Sequence, residues 1–170
     1  SPAWQTVLDL DALSKAEKAN WFWKGADCAE PDETRCIVSL SDGGEDAVTS
    51  REFDLKSNSF VKDGFVIPHG KQSSTWEDPN TLLIAREWQP GDLTTSGYPF
   101  IVKRLKRGQP RSAAVEVFRG AKSDVSAGAA ALTDGAGNHL VLVSHSPSFF
   151  ENESYLLTAK GADSVGIPGK

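Results

Sequence analysis

The alternation of apolar and polar positions along the chain is typical of short strands. Three apolar runs are bounded by Gly, Pro, Asp or Asn, as buried strands are, and they cover residues 35–40, 81–85 and 139–144. Four other segments are more polar than these runs and have the composition of half-exposed strands. They cover residues 50–55, 98–105, 115–119 and 154–158. Because runs this short rarely form helices, the pattern predicts an all-β fold.

One segment has helical character. Residues 11–20 begin with Asp11, a good N-cap residue, and they are rich in Ala, Lys and Glu. We therefore expect one short helix or helical turn at this point of the chain.

The strand-like segments recur as a weak repeat. One unit covers residues 21–61, a second covers 74–118 and a third covers 125–158. The central apolar runs lie 46 residues apart from Ile37 to Leu83 and 58 apart from Leu83 to Val141. A period of roughly 50 residues is close to the length of a four-stranded propeller blade.

The order of polarity within each unit also favours a propeller. The inner strands of a blade lie between neighbouring blades and are apolar, whereas the outermost strand faces solvent and tolerates charge. Residues 4–10 would then end a preceding blade, with an outer strand at 6–10. In the third unit the fourth strand is expected to be missing or very short. The chain is thus predicted to contain about three four-stranded blades of a β-propeller.

Composition and charge exclude several classes of partner. The chain has 170 residues, of which 39% are hydrophobic and 24% charged, as in a soluble globular domain. Its 23 acidic and 18 basic residues give a net charge of -5, so no nucleic acid is expected as a partner. No apolar run has the length of a membrane span. The chain starts at Ser1 and contains no Met, and we expect an excised segment of a soluble protein of the cytoplasm or periplasm.

The two cysteines leave two interpretations open. Cys28 and Cys36 flank the turn-rich stretch 29–34, a spacing that allows a disulfide and equally allows two thiols near a strand start. His69, His139 and His145 have no cysteine nearby in the sequence, so neither a metal site nor a cofactor is expected.

Whole stretches of the chain resemble one protein family. The strings Trp-Phe-Trp-Lys-Gly-Ala-Asp-Cys at 21–28, Arg-Cys-Ile-Val-Ser-Leu-Ser-Asp-Gly-Gly-Glu-Asp-Ala at 35–47 and Arg-Glu-Phe-Asp-Leu at 51–55 carry the resemblance. So do Thr-Trp at 75–76, Asp78, Thr-Leu-Leu at 81–83 and Leu-Thr-Thr-Ser-Gly-Tyr-Pro at 93–99. They are similar to the propeller domain of the prolyl oligopeptidase family of serine peptidases, most strongly between Trp4 and Phe118.

The resemblance implies a fold and a role. In that family a seven-bladed propeller caps an α/β-hydrolase domain and limits access of large folded proteins to the active site. The parent would hydrolyse short peptides after proline with a Ser nucleophile, a His base and an orienting Asp. The Gly-x-Ser-x-Gly elbow that presents such a nucleophile does not occur, the nearest stretch being 161–166 with a different spacing. We therefore expect no catalytic residues and no peptidase activity in this chain alone.

The same resemblance supplies the candidate site residues. Lys71 and Ser73 lead into an inner strand whose family counterparts lie near the face turned towards the catalytic domain, which makes them candidates for substrate contacts. The loop 87–97, with Asp92, Thr95 and Ser96, resembles a loop that lies between the domains and helps to gate entry. An ordinary solvated connection is the alternative for this loop.

Other interpretations apply to the remaining features. The basic run 103–107 is better explained as a charged outer strand and its turn than as a nucleic-acid patch. Core packing is expected of the tryptophans, which are Trp4, Trp21, Trp23, Trp76 and Trp88. An alternative function is a free-standing β-rich module that binds a peptide or sugar through its aromatic residues. Because an open propeller leaves sheet faces uncovered, self-association of the blades is a further possibility.

Overall fold

The computed structural model describes residues 2–134, 136–159 and 161–165. It contains the helix α1 (Leu10–Glu17) and a 3₁₀ turn at Arg111–Ala113. The strands, in chain order, are β1 (Trp21–Cys28), β2 (Arg35–Asp42), β3 (Val48–Asp54), β4 (Ser59–Phe60), β5 (Val66–Gly70), β6 (Gln72–Asp78), β7 (Thr81–Arg86), β8 (Ile101–Lys106), β9 (Val115–Arg119), β10 (Ser126–Thr133), β11 (His139–Ser148), β12 (Glu151–Thr158) and β13 (Gly161–Ser164).

These strands form three antiparallel sheets. Sheet A has the order β1-β2-β3-β4 with β5 paired to β3, sheet B has the order β6-β7-β8-β9, and sheet C has the order β10-β11-β12-β13. The chain divides into two compact units at residues 1–69 and 70–170, the first built on sheet A and the second on sheets B and C. The prediction of an all-β fold is confirmed, with four strands in sheets B and C and five in sheet A. The third unit has a fourth strand, β13, which is four residues long.

The N-terminal segment differs from the expectation. No strand is present at 6–10, because Asp9 caps the helix by accepting a hydrogen bond from the amide of Ala12 at 2.9 Å. The helix therefore starts at Leu10 and ends at Glu17, before the left-handed Lys18. Its leucines explain the difference, since helical spacing directs Leu10 and Leu13 onto sheet A, where they pack against a small core. That core consists of Val38, Leu40 and Phe53.

Cys28 and Cys36 face each other across β1 and β2. They form a register pair of the two strands, and a disulfide joins them. The turn 29–34 thereby becomes a closed loop at one end of sheet A.

The second unit is held together by an apolar seam between sheets B and C. The buried side chains of this seam are Leu83, Ala85, Val102, Ala127, Val141, Val143 and Leu157. Leu83 and Ala85 lie two residues apart on the same face of β7, and that face packs against sheet C. The seam therefore fixes how the two sheets of this unit are aligned.

Antiparallel order brings several connections to one end of this second unit. The start of β6, the loop 87–100 between β7 and β8, the connection 120–125 between β9 and β10, and the turn at Phe149 and Phe150 all lie there. Backbone hydrogen bonds of 2.8 Å join Gly120 to Phe100 and Ala127 to Pro99 across this end. We call this surface the loop end.

Candidate functional site at the loop end

Lys71 lies directly before β6 and is partly exposed at the loop end. Its ammonium nitrogen stands 4.7 Å from the centre of the Tyr98 ring, within the range of a cation–π contact. A Cβ atom on Gly97 would lie 3.7 Å from the same nitrogen. Among the described residues, no carboxylate comes within 4.0 Å of it. The ammonium group of Lys71 is thus held in place and can donate a hydrogen bond to an oxygen atom of a ligand.

Ser73 lies two residues further along β6 and is exposed. It pairs with Ala85 in the register of β6 and β7, so its side chain shares the face of β7 that packs on sheet C. A Cβ atom on Gly128 of β10 would lie 3.5 Å from the Ser73 hydroxyl oxygen. Ser73 is therefore a small residue at the point where two inner strands approach each other, and its role as a substrate contact stays a prediction.

The loop 87–97 is hydrogen-bonded at several points along its length. Thr94 is buried, its amide donates to Tyr98 O at 2.8 Å, and its hydroxyl donates to Val125 O at 3.3 Å. The amide of Thr95 donates to Lys122 O at 2.9 Å, which ties the loop to the connection 120–125. The loop is therefore anchored to the body of the unit.

The first half of the loop is closed by two acidic side chains. Asp92 accepts from the amide of Gln89 at 3.1 Å, and Glu87 accepts from the amide of Gly91 at 2.7 Å. Gly91 has φ +90°, a left-handed conformation that favours glycine at this turn. Asp92 thus shapes the turn, whereas the side chains of Thr95 and Ser96 are exposed at the rim of the loop end.

A group of polar side chains that the sequence pattern did not bring together lies below this loop. His145 of β11 contacts Asp124 through Nε2 at 2.7 Å and Glu153 through Nδ1 at 3.0 Å. The phenol of Tyr155 donates to Glu153 at 2.6 Å. His145 is 21 positions from Asp124 and 8 positions from Glu153 in the sequence. Only the pairing of β11 with β12 brings His145 opposite Glu153.

Both carboxylates of this group are more acidic than usual. Burial opposes ionisation of Asp124, but hydrogen bonds from the Ala121 amide and the His145 imidazole outweigh it and lower its pKa. Hydrogen bonds from Tyr155 and then His145 lower the pKa of Glu153, and the same contact with Glu153 raises the pKa of Tyr155. Asp124 and Glu153 are therefore ionised at neutral pH.

The basic run 103–107 lies on the third strand of sheet B rather than on an outer strand. Arg104 forms a bidentate ion pair with Glu77, in which Nε and Nη2 donate at 2.5 and 2.6 Å, and Arg107 donates to Asn80 at 3.0 Å. Both arginines of the basic run are thus hydrogen-bonded to the neighbouring β6–β7 hairpin. The prediction of an outer strand was wrong because the polar sequence of β8 reflects these partners and not the strand's position.

The tryptophans follow the expected core packing only in part. Trp76 is 3% exposed in the core, whereas Trp4 is 92% and Trp23 is 52% exposed. In the described ranges, no group of three or more His, Cys, Asp or Glu side chains is arranged to hold a metal ion. No helix in the part of the chain that the structure describes is long and apolar enough to cross a membrane.

Antiparallel sheets of four or five strands, joined in sequence and packed face to face in the second unit, define a fragment of a β-propeller. A family model described as prolyl oligopeptidase, N-terminal beta-propeller domain, matches residues 1–165. The chain therefore belongs to the prolyl oligopeptidase family, as a part of that N-terminal propeller domain. The resemblance seen in the sequence is confirmed.

Two curated relatives support this membership. The uncharacterized peptidase y4nA of Sinorhizobium fredii is 50% identical over 154 residues, which are 90% of this chain and 21% of the relative. The uncharacterized peptidase RP174 of Rickettsia prowazekii is 28% identical over 165 residues, covering 92% of this chain and 23% of the relative. The chain thus spans less than a quarter of the length of these two relatives.

Solved structures show the same fold. A post-proline cleaving enzyme from Rickettsia typhi superimposes with a TM-score of 0.91 at 26% identity, over 99% of this chain and 26% of that one. Oligopeptidase B from Trypanosoma brucei superimposes with a TM-score of 0.70 at 20% identity, over 100% of this chain and 23% of that one. The second likeness concerns the fold alone.

Proposed function

We propose that this chain is the non-catalytic propeller segment of a prolyl-oligopeptidase-type serine endopeptidase, and that its loop end limits which peptides reach the active site of the parent. The partners in this proposal are the α/β-hydrolase domain of the parent and short peptide substrates. Lys71 supplies a cation for a peptide oxygen, and the loop 87–97 forms part of the rim.

The anchoring of the loop carries this proposal. Thr94 and Thr95 hold the loop to Val125 and Lys122, so the rim keeps a fixed shape beside Lys71. A rim of fixed shape excludes large substrates by size, and it needs no local opening of the loop. Family membership supports the non-catalytic role, because the matching model is that of the propeller domain.

The first test compares the isolated chain with the proposed parent. We expect hydrolysis of a proline-containing chromogenic peptide by the parent and none by the 170-residue chain, because the chain lacks the nucleophile elbow. Inhibition of the parent by a serine-directed reagent completes the measurement. Turnover by the chain alone would refute the proposal, and saturable peptide or sugar binding by the chain alone would favour a free-standing binding module.

The second test shortens the loop in the parent. Replacing residues 92–96 with two glycines should increase cleavage of a peptide of about 40 residues severalfold, because the rim recedes from the entrance. Cleavage of a short chromogenic peptide should stay within about twofold, since the hydrolytic residues lie elsewhere in the parent.

A matched control shortens a turn at the opposite end of the same sheet. Residues 108–110 of the β8–β9 connection are suitable, and their shortening should leave both cleavage rates unchanged. An equal fall in both rates after loop shortening would indicate general damage to the propeller and would contradict a gating role for the loop.

A further inference from the structure

An imidazole bridges two carboxylates beneath the loop end. The side chain of His145 is 12% exposed and that of Asp124 is 10% exposed, so this contact is largely withdrawn from water. Glu153, on the other side of the ring, is 50% exposed. The bridge therefore joins three separate elements, namely the connection 120–125, β11 and β12.

The hydrogen-bond chemistry determines the protonation state of the bridge. A carboxylate only accepts hydrogen bonds, and an imidazole donates from both ring nitrogens only when it carries both protons. Because each ring nitrogen of His145 contacts a carboxylate oxygen, these two distances fit an imidazolium between two anions. With a single ring proton, either Asp124 or Glu153 would lose the imidazole as a donor and keep only its other one, the Ala121 amide or the Tyr155 phenol.

The surroundings of the ring support this assignment. Phe118 of β9 lies 5.2 Å from the ring centre and Tyr155 of β12 lies 6.3 Å from it. Among the described residues, the titratable or charged side chains that face the ring are Asp124, Glu153 and Tyr155.

Asp124 transmits this bridge to the loop. Its Oδ2 atom accepts from the amide of Ala121 at 2.6 Å, and its own amide donates to Ala121 O at 3.1 Å, which closes a turn. The next carbonyl along this turn, Lys122 O, accepts from the amide of Thr95 in the loop. Lys122 lies within the turn that Asp124 closes, so the turn connects the carboxylate to the loop.

Gly120 shows how little space the cluster has. A Cβ atom at this position would lie 2.5 Å from Asp124 Oδ2 and 3.2 Å from His145 Nε2. A residue with a side chain at position 120 would therefore collide with Asp124 and His145 in their present positions.

We propose that Asp124, His145 and Glu153 form a proton-dependent positioning cluster, in which the doubly protonated His145 fixes the connection 120–125 and thereby holds the loop 87–97 in place. This inference deepens the proposed function by adding a regulation of the loop end, and it rests on that function only for its consequence in peptide cleavage. A neutral ring has one N–H donor instead of two, so one carboxylate would lose its contact with the imidazole and the loop would loosen.

The test measures the loop directly and needs no peptidase activity. Hydrogen–deuterium exchange of peptides covering 88–98 and 118–126 is followed by mass spectrometry in the complete protein, with rates normalised to the intrinsic exchange at each pH. In His145→Gln we expect about tenfold faster exchange in both peptides, because one amide group cannot donate to both carboxylates. Peptides from β7 should exchange as before.

The matched control is His139→Gln. His139 lies on the same strand at its opposite end, where its ring contacts the Thr133 hydroxyl at 3.0 Å. Exchange at 88–98 should stay unchanged in this variant. Equal acceleration in the two variants, or none in His145→Gln, would overturn the proposal.

Glu153→Gln distinguishes the effect of the imidazole proton from the effect of side-chain packing. The amide of a glutamine can donate to Nδ1 of a neutral imidazole, which then still donates from Nε2 to Asp124. Exchange at 88–98 should accelerate with rising pH in the natural protein and stay level in Glu153→Gln. Identical pH profiles in the two proteins would refute the proton dependence. This comparison remains informative if His145→Gln fails to fold. A negative peptidase assay alone would contradict the proposed function but would say nothing about the cluster.

Discussion

Leu83→Ala is expected to lower the free energy of unfolding of the second unit by about 4 kcal/mol, within the range measured for buried leucines. Leu83 is 0% exposed and lies in the seam between sheets B and C. Removing its side chain leaves a cavity that β-sheets on both sides cannot easily close, so the lost transfer free energy and the cavity add. The measurement is urea unfolding followed by circular dichroism.

Leu132→Ala is the control for this substitution. The same atoms are removed from β10 in the same unit, but Leu132 is 55% exposed. Its replacement should change the free energy of unfolding by less than about 0.5 kcal/mol. If the two substitutions had the same small effect, the seam would not be the element that holds the two sheets together.

The second large effect is expected at a buried carboxylate in the first unit. Glu52 has a side chain that is 0% exposed, and it accepts from the amide of Phe65 at 2.9 Å and from Arg35 at 3.2 Å. Glu52→Ala removes the acceptor of a buried amide, and we expect a loss of about 3 kcal/mol in the free energy of unfolding. Urea unfolding of the first unit's strands, followed by tryptophan fluorescence, measures this loss.

Two companion variants identify the contact responsible. Glu52→Gln keeps a carbonyl oxygen for the Phe65 amide and should cost less than Glu52→Ala. Arg35→Ala should cost less than Glu52→Ala, because the arginine side chain is 41% exposed and the Phe65 amide keeps its acceptor. A larger loss in Arg35→Ala than in Glu52→Ala would show that the ion pair, and not the amide contact, stabilises this site.

The anchored loop and the histidine bridge suggest a specific picture of the loop end. A rim held by Thr94 and Thr95 excludes substrates through its shape, and the proposed cluster around His145 determines how firmly that shape is kept. Loop shortening and the exchange experiment test these two ideas separately. Limits of the individual blades and the substrate roles of Lys71 and Ser73 stay predictions.

Local sequence patterns were sufficient for the strands themselves. The apolar runs 35–40, 81–85 and 139–144 lie within β2, β7 and β11. All residues of β7 are buried, whereas in the run of β11 only Val141 and Val143 are. The helix was also visible, although its start was displaced. Asp9 and Asp11 are both suitable caps in the sequence, and only the packing of Leu10 and Leu13 on sheet A selects between them.

Position within a sheet was less predictable than strand character. Charged residues in β8 predicted an outer strand, yet Arg104 is paired with Glu77 on the neighbouring hairpin. A charged side chain tolerates an interior strand when a partner covers it, and that partner is 27 residues away in the sequence.

The sequence by itself determined the strand segments, the propeller class, the family and the absence of a nucleophile elbow, because these follow from local periodicity and from contiguous strings. Only the tertiary structure decided that Glu52 is buried, that the loop 87–97 is anchored, and that His145 lies between Asp124 and Glu153. Such contacts depend on strand register and on segments that meet after folding. A one-residue shift in the pairing of β11 with β12 would turn Glu153 to the opposite face, and no local pattern encodes that choice.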